Sequence, residues 1–590
     1  MSEYILGISC FYHDAAACLI HDGLVVAAAE EERFNRDKHY SGFPKQSIRY
    51  CLNQARINAD QLDYVVFYEK PFTKFNRILE TYISQWPRAF SSFRRAVPLW
   101  LKSRLNMRKH ISKELEIDQE KIYFGDHHLS HAASAFLVSP FDEAAILTID
   151  GVGEWSTTTI GYGKGNSIKI DKRINFPHSI GLLYSAITSY LGFRVNDAEW
   201  KVMGLAPYGE PKYVNKFLDL MDVKEDGSFR LDMKYFSYHH SPKESISRKF
   251  ENHFGYPKRR SDQEINQFYT DIAASGQKVV EEIIVKIATN LHETYNTNNL
   301  TIAGGVGLNS VANWRIIQKT GFKDIFIQPA SGDSGGSLGA AMAFYNLTLN
   351  NPRKYMMEHA LLGPEFTDEE IQKVLDSYGA QYKKIDNDET LVKETAKMLS
   401  QNKVVGWFQG RLEFGPRALG NRSILANPKN PDMKEILNSK VKFREKFRPF
   451  APSVTEEEAS TYFDISIDAP YMLLIPDVYP DKRQLLPAIT HVDGTARLQT
   501  VQKKTNPRYH NLLNAFKEIE GIPVLLNTSF NVRGEPIVLS PADAYSCYMR
   551  TGIDALVMGN FLLTEKNPDQ VKEFQELNIK YIDKDEGREH

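Results

Sequence analysis

Four residues of this 590-residue chain could hold one metal ion between them. Asp126-His127-His128-Leu129-Ser130-His131 runs into Ala132–Leu137 and reads as the opening of a helix. Residues four apart on a helix share a face, so His127 and His131 can reach one ion. His128 points about 100° away from them. Asp150 closes the apolar run Ala145–Ile149, and Asp333 lies in a glycine-rich loop; these are the carboxylates best placed to complete the set. Two imidazoles with carboxylate oxygens suit Fe(II), Mn(II) or Zn(II). A bare His-x-x-x-His pair more often caps a helix or packs in a core, and the two loop aspartates are what weigh against that.

A second group of residues suits anions. Asp150-Gly151, Gly304-Gly305 and Ser331-Gly-Asp-Ser-Gly-Gly336 each end a strand or open a helix. There, backbone amides can approach a phosphate. One such turn is weak; three across one domain indicate a nucleotide cleft. Further on, Gly410-Arg411-Leu-Glu413-Phe414-Gly415-Pro416-Arg417-Ala-Leu-Gly420-Asn421-Arg422-Ser423 is followed by Lys442, Arg444, Arg448 and Arg497. Guanidinium groups bind phosphate oxygens in pairs. Phe414, Leu419, Phe447 and Phe450 interleave with these charges, which disfavours a merely solvated basic face. The turn Asn527-Thr528-Ser529-Phe530-Asn531 adds hydroxyl and amide donors after a strand.

The elements that must position these residues can be read from pattern. Tyr4–Ser9, Ala15–Ile20 and Leu24–Ala29 alternate with polar turns, and Asp22-Gly23 marks a hairpin. Residues 72–116 are helical in character and rich in Arg, Phe and Trp. They read as a solvated insertion with one buried face, the other reading being a lid over an acceptor. Ser261-Asp-Gln-Glu264 reads as a capping box ahead of Ile265, Phe268, Ile272, Val279, Ile283, Ile287 and Leu291 at helical spacing. Asn350-Asn-Pro-Arg-Lys354 is the expected linker. Two domains follow, 1–352 and 358–570, with a charged tail at 571–590, as length alone favours. No internal repeat is visible.

Composition excludes several classes. Lys plus Arg, 72, nearly cancels Asp plus Glu, 74, so no excess positive charge favours nucleic acid. Four cysteines without a Cys-x-x-Cys pair fit a reducing compartment. No apolar run approaches the ~20 residues of a bilayer span, and the first residues read as a strand rather than a signal peptide. A cytoplasmic protein with no membrane partner is expected, and a homodimer is compatible with all of this.

Together these stretches resemble the NodU/CmcH family of O-carbamoyltransferases, over about residues 1–565. The resemblance is carried by Tyr12-His13-Asp14-Ala15, Ala29–Arg33 with Lys38-His39, His127–His131, Asp150-Gly151 and Lys201–Gly209. It continues through Gly304–Asn309, Ser331–Gly336, Glu413–Ser423, Phe447–Pro452, Asp493–Arg497 and Asn527–Asn531. It implies an α/β protein with an N-terminal domain on the actin-like (ASKHA) superfold, like the threonylcarbamoyl-transferring proteins, and a C-terminal YrdC-like domain. It further implies that carbamoyl phosphate and ATP, with Mg2+, give carbamoyl adenylate in the second domain. The carbamoyl group then passes, beside a bound iron, to a hydroxyl of a small molecule.

On that reading His127, His131, Asp150 and Asp333 hold the metal. Lys201, Gly204, Gly304, Gly305 and Asn309 line the nucleotide cleft. Arg417, Lys442, Arg448, Arg497, Asn527 and Ser529 bind the donor. His13 is the candidate base, since an ordinary histidine titrates near working pH; Asp14 orients it or binds the acceptor, and Lys38 stabilises charge. Trp200 departs from the family, which often has Gly or Tyr there, and bears on acceptor choice or only packs. The acceptor itself stays open among sugars, antibiotics, polyketides and alkaloids. Rival readings are a tRNA threonylcarbamoyl-type enzyme and an actin-like small-molecule kinase. The kinase leaves the His pair and the arginine-rich half unexplained.

Overall fold

The computed structural model describes residues 3–102 and 104–576. Two compact units divide it: residues 1–31 with 41–357, and residues 32–40 with 358–590.

The first unit is built on two five-stranded sheets of the same design. In one, β1 (Tyr4–Ser9), β2 (Ala16–His21), β3 (Leu24–Glu30), β4 (Tyr64–Phe67) and β5 (Ile122–Phe124) lie in the order β3-β2-β1-β4-β5. In the other, β6 (Glu143–Ile149), β7 (Ser156–Lys164) and β8 (Ser167–Asn175) precede a small β9–β10 ribbon (Met221–Val223, Phe229–Leu231). The strands β11 (Asn299–Ala303) and β12 (Asp324–Ile327) complete the order β12-β11-β6-β7-β8. In each sheet the first three strands are an antiparallel meander, and the last two add parallel to the first strand. Duplication of this pattern is the actin-like architecture. It is invisible as a sequence repeat because strand pairing constrains the burial pattern and not residue identity.

The hairpin at Asp22-Gly23 forms as expected, with both residues at positive φ (50° and 83°) in the two-residue turn that suits strand twist. The long helix Gln267–Tyr295 also forms, with Ile272, Val279, Ile283, Ile287 and Leu291 of the expected stripe buried; Phe268 is half-buried and Ile265 precedes the helix. Its cap does not: Asn266, not Ser261, is the N-cap, its side chain accepting from the Tyr269 amide. Residues 261–264 lie outside the helix, so the Ser261–Glu264 capping box is not formed. The insertion comprises Pro71–Ser84, Phe90–Lys102 and Met107–Leu115. The expected linker is pinned: Arg353 donates to the carbonyls of Phe141 and Ser139, each at 2.7 Å.

Two helices matter most for function. His127–Phe136 follows β5, its N-cap Asp126 accepting from the Leu129 amide. Asp333–Ala343 follows β12. They cross so closely that a Cβ on Gly339 would stand 1.7 Å from the Ser130 carbonyl oxygen. Gly7 of β1 likewise lies against the Ser337 carbonyl, 1.9 Å from where its Cβ would be. The glycines are what allow this approach.

The second unit has one mixed sheet of eight strands. They are β13 (Lys383–Lys384), β14 (Val405–Phe408), β15 (Arg422–Ala426), β16 (Ala451–Thr455), β17 (Gln499–Val501), β18 (Val524–Ser529), β19 (Ala555–Met558) and β20 (Phe561–Leu563). The order is β13-β20-β19-β14-β15-β18-β16-β17. Residues 32–40, placed in the first domain by sequence, belong to this unit. Arg36 donates to the carbonyls of Ile537 and Pro536 and pairs with Glu535 at 3.0 Å. Phe34 packs on Leu412, Ile537 and Leu539. Of the expected tail, residues 571–576 continue a helix whose Phe574 meets Tyr378 and Tyr545; residues 577–590 lie outside the described residues.

Candidate active site

In the first unit, strand ends and helix starts bring the four expected ligands together. His127 and His131 stand on the first two turns of their helix, Asp150 directly follows β6, and Asp333 opens the crossing helix. One ligand atom from each lies within 4.8 Å of all the others, and all four side chains are buried. His127 Nε2 is 3.2 Å from Asp150 Oδ2, and Asp333 Oδ1 is 3.7 Å from both His127 Nε2 and His131 Nε2. His131 Nδ1 and Nε2 and Asp333 Oδ1 have no hydrogen-bond partner. Buried polar atoms are normally satisfied, so orphaned nitrogen and oxygen atoms that converge on one point fit a cation.

His128 is set apart, as its helical position requires. Its Nδ1 accepts from Thr148 Oγ1 at 2.6 Å and its Nε2 donates to the Ser156 carbonyl at 2.8 Å. Burial, with the charges of His127 and His131, pushes its pKa down to about 3, so it stays neutral. The ligands behave oppositely. Burial opposes charge on Asp150 and Asp333, yet neighbouring histidines hold both carboxyls below their usual range. Burial likewise opposes charge on His127, but its hydrogen bond with Asp150 and the carboxylate Glu69 raise its pKa well above the ordinary value.

Three supports were not found from sequence. Tyr68 donates to Asp333 Oδ2 at 3.1 Å. Glu69 Oε2 lies 3.5 Å from His127 Nδ1 and accepts from Lys74 at 2.6 Å. Glu154 accepts from the His127 amide at 3.0 Å. The available signal was the polar pair Tyr68-Glu69 directly after the apolar run of β4.

His13 lies in the β1–β2 turn, where Phe11 and Asp14 hold positive φ (75° and 51°), a conformation that non-glycine residues rarely adopt. Its Nδ1 is 2.9 Å from Asp14 Oδ2. Burial lowers its basicity, but the charges of Asp333 and Asp14 outweigh this and raise the pKa to about 9. These neighbouring carboxylates hold His13 above the near-neutral titration expected of an ordinary histidine. Lys38 lies in the 32–40 segment, which belongs to the second unit.

The nucleotide-cleft candidates fare unequally. Gly304 requires its glycine: at φ 93° a Cβ would stand 2.3 Å from the Ile149 carbonyl oxygen. Its amide donates to Ser331 O, and the Gly305 amide donates to Asp150 Oδ1 at 3.0 Å, tying the glycine turns to the ligand strand. Asn309 caps the helix Ser310–Lys319 and exchanges hydrogen bonds with Gln277, which leaves its amide little capacity for a ligand. Gly204 sits inside the helix Glu199–Leu205, so its amide belongs to the helix ladder rather than to a phosphate loop. Lys201 holds its ammonium over the rings of Phe193 and Trp200 at 5.4 and 5.7 Å.

In the second unit, sheet topology gathers the arginines. Arg422 begins β15, Arg448 and Arg497 shortly precede the parallel strands β16 and β17, and Ser529 ends the antiparallel β18. The pairs Ser423–Ser529, Ala451–Asn527 and Ser453–Gln499 place these strand ends side by side. Arg417, Arg448 and Arg497 are half-buried. Burial and then the charges of Arg417 and Arg448 depress Arg497 well below the usual arginine value. Burial alone lowers Arg417 to about 10. Arg497 thus lies near enough to Arg417 and Arg448 to feel both charges, a grouping whose chemistry suits a polyanion.

The remaining residues frame this cluster. Glu413 Oε1 accepts from the amides of Leu419, Asn421 and Arg422, fixing the loop that displays Arg417. Arg422, fully buried, donates to the carbonyls of Gln409, Gly410 and Pro364. Arg33 donates to the Gly415 carbonyl at 2.9 Å. Two expectations are revised. The Lys442 ammonium already bonds Ser529 O at 2.6 Å and Asn531 O and Oδ1 at 2.9 and 2.7 Å, so it holds the turn rather than facing a phosphate. Asn527 is buried and bonds Ser453, Gln499 and Ala418, tying three strands to the loop.

A duplicated actin-like core with a buried His2Asp2 cluster, joined in one chain to a sheet domain with an arginine site, defines a two-domain α/β enzyme. Residues 4–342 match the family described as "Carbamoyltransferase N-terminus", and residues 396–565 match "Carbamoyltransferase C-terminus". The chain belongs to the carbamoyltransferase family and is a carbamoyltransferase. It is 49% identical to "Uncharacterized protein sll1178" of Synechocystis sp., over 95% of this chain and 97% of that one. It is 38% identical to "Nodulation protein NolNO" of Sinorhizobium fredii, over 94% and 79% of the two chains. "Nodulation protein NolO" of Bradyrhizobium diazoefficiens is 37% identical, over 77% and 81%.

Proposed function

We propose that the chain is an ATP-dependent O-carbamoyltransferase whose two halves divide the reaction. In the second unit, a YrdC-like domain on this reading, the arginine site takes carbamoyl phosphate and ATP. Water releases phosphate from carbamoyl phosphate, and the resulting carbamate displaces pyrophosphate from ATP to give carbamoyl adenylate. Arg417, Arg448 and Arg497 bind the phosphate oxygens and offset the charge that develops as they transfer. Lys442 presents Ser529 by holding its turn. Mg2+ accompanies the nucleotide.

In the first unit the acceptor hydroxyl attacks the carbamoyl carbon and AMP leaves. His127, His131, Asp150 and Asp333 would hold a divalent metal, ferrous iron by family likeness, whose charge would fix the AMP phosphate and polarise the carbamoyl carbonyl. The Gly304-Gly305 turn brings backbone amides to the nucleotide. His13 takes the acceptor proton on Nε2, since its Nδ1 faces Asp14. A cation among the four ligands would weaken the field of Asp333 and bring His13 back toward an ordinary titration. The acceptor is a hydroxyl of a sugar or other natural product, and four cysteines without a Cys-x-x-Cys pair suit the cytoplasm.

The observation that supports this most is the pair of distinct sites: orphaned ligand atoms in one unit, and repelling guanidinium groups in the other. The test incubates the protein with carbamoyl phosphate, ATP and candidate hydroxyl compounds. The expected products are a carbamoylated acceptor by mass spectrometry, with AMP and pyrophosphate. Release of ADP with a phosphorylated acceptor would instead make it a kinase.

A further inference from the structure

The insertion between β4 and β5 carries exposed apolar side chains beside a basic stretch. On the helix Pro71–Ser84, Lys74 and Arg77 are buried, while Phe72 and Ile83 are 68% and 66% exposed. These two lie eleven residues apart, three helical turns, and so share the outer face. Trp86, Phe90 and Leu101 are 62%, 49% and 56% exposed. The rings of Trp86 and Phe90 meet edge to face at 5.2 Å, and Phe75 stacks on Trp100 at 5.7 Å, joining the two helices. Single exposed apolar side chains are ordinary, but five on one helical hairpin, two of them in ring contact, are more than that.

Its charge is one-sided. Residues 81–113 hold eight Lys or Arg and no Asp or Glu, in a chain whose net charge is −2. Arg88, Arg94, Arg95 and Lys102 of this stretch are exposed. Phe90, Arg94 and Leu101 recur at i, i+4 and i+11, which sets a cation between two apolar groups on one face.

We propose that this helical hairpin binds the surface of an anionic lipid bilayer. The aromatic and aliphatic side chains enter the headgroup boundary and the arginines meet lipid phosphates. No helix of the described residues is long and apolar enough to cross a membrane, and surface binding requires none. Such binding stands against the expectation of no membrane partner, which rested on the lack of a spanning segment. A second copy docked through the same face would set one cationic stretch against another. Nucleic acid would meet the arginines but would gain nothing from Ile83 and Leu101.

The test sediments the full chain with vesicles of phosphatidylcholine alone and of phosphatidylcholine mixed with phosphatidylglycerol. Binding to the mixed vesicles only, weakened by salt, is expected. The pair Trp86→Ser with Leu101→Ser and the pair Arg94→Glu with Arg95→Glu should each reduce it about tenfold or more, with the thermal midpoint unchanged because these side chains face solvent. Equal binding to both vesicle types, no binding, or indifference to both variants would overturn the proposal. So would a dimer by light scattering that the Trp86→Ser pair dissociates, or tighter binding to an RNA oligonucleotide than to mixed vesicles.

Discussion

At the scale of single residues, identical side-chain types do opposite work according to what they face. His128 and His131 lie three positions apart, yet the first is fully hydrogen-bonded and neutral and the second has two orphaned nitrogens. A His128 pKa of about 3 in the folded state lies below the unfolded value of about 6.5. Its contribution to stability is therefore full above pH 6.5 and is lost as pH falls toward 3. Between pH 7.5 and 5 the loss is about 2 kcal/mol. In chelator-treated protein, urea unfolding should show the penalty of His128→Gln shrinking by that amount over this range; a pH-independent penalty would contradict it. Lys442→Met should destabilise the second unit by about 3 kcal/mol, because the carbonyls of Ser529 and Asn531 lose their donor. Thermal melts check this, and weaker carbamoyl phosphate binding should accompany it.

That His127 and His131 face one point was legible from type and spacing because an i, i+4 pair leaves little geometric choice. The braces were not. Glu413, Arg422 and Lys442 look like site residues, since charge in sequence does not reveal whether backbone carbonyls and amides already satisfy it. Tyr68 and Glu69 were missed because their roles depend on contacts with Asp333 and His127, which are distant in sequence.

At the scale of elements, the His2Asp2 cluster depends on how closely two helices cross. The sequence shows a helix at 127–136 and another after the Ser331–Gly336 loop, but not that they touch. Gly339 is where they do. Gly339→Ala should push the helices apart, cost about 1–3 kcal/mol and weaken metal binding by separating His131 from Asp333. Melting and metal titration of the apo-protein read the two effects separately; an unchanged metal affinity would sink the link. The central strands were readable as short apolar runs because both their faces are buried, and the long helix because burial of one face imposes period 3.6. The cap at Asn266 was not, since Ser261 with Glu264 has the right residue types in the wrong place.

At the scale of the whole molecule, the proposed function gives each of the two units one kind of chemistry. The Asn-Pro stretch lies a few residues before the division between the units at 357 and 358, whereas the membership of residues 32–40 in the second unit left no sign in the sequence, because it rests on Arg33 and Arg36 meeting backbone some 380 and 500 residues away in sequence. Arg36→Ala removes an ion pair with the buried Glu535 and two carbonyl contacts. It should lower the stability of the second unit by about 2 kcal/mol or more, seen as faster proteolysis within residues 530–545.

The division of labour is tested most directly by assaying the two half-reactions in His131→Ala and Arg497→Ala. Pyrophosphate release from ATP with carbamoyl phosphate reports the first, and carbamoylated acceptor reports the second. His131→Ala should keep pyrophosphate release near the unmodified rate and lose acceptor carbamoylation, while Arg497→Ala should lose both. Equal loss of both half-reactions in His131→Ala would contradict the account.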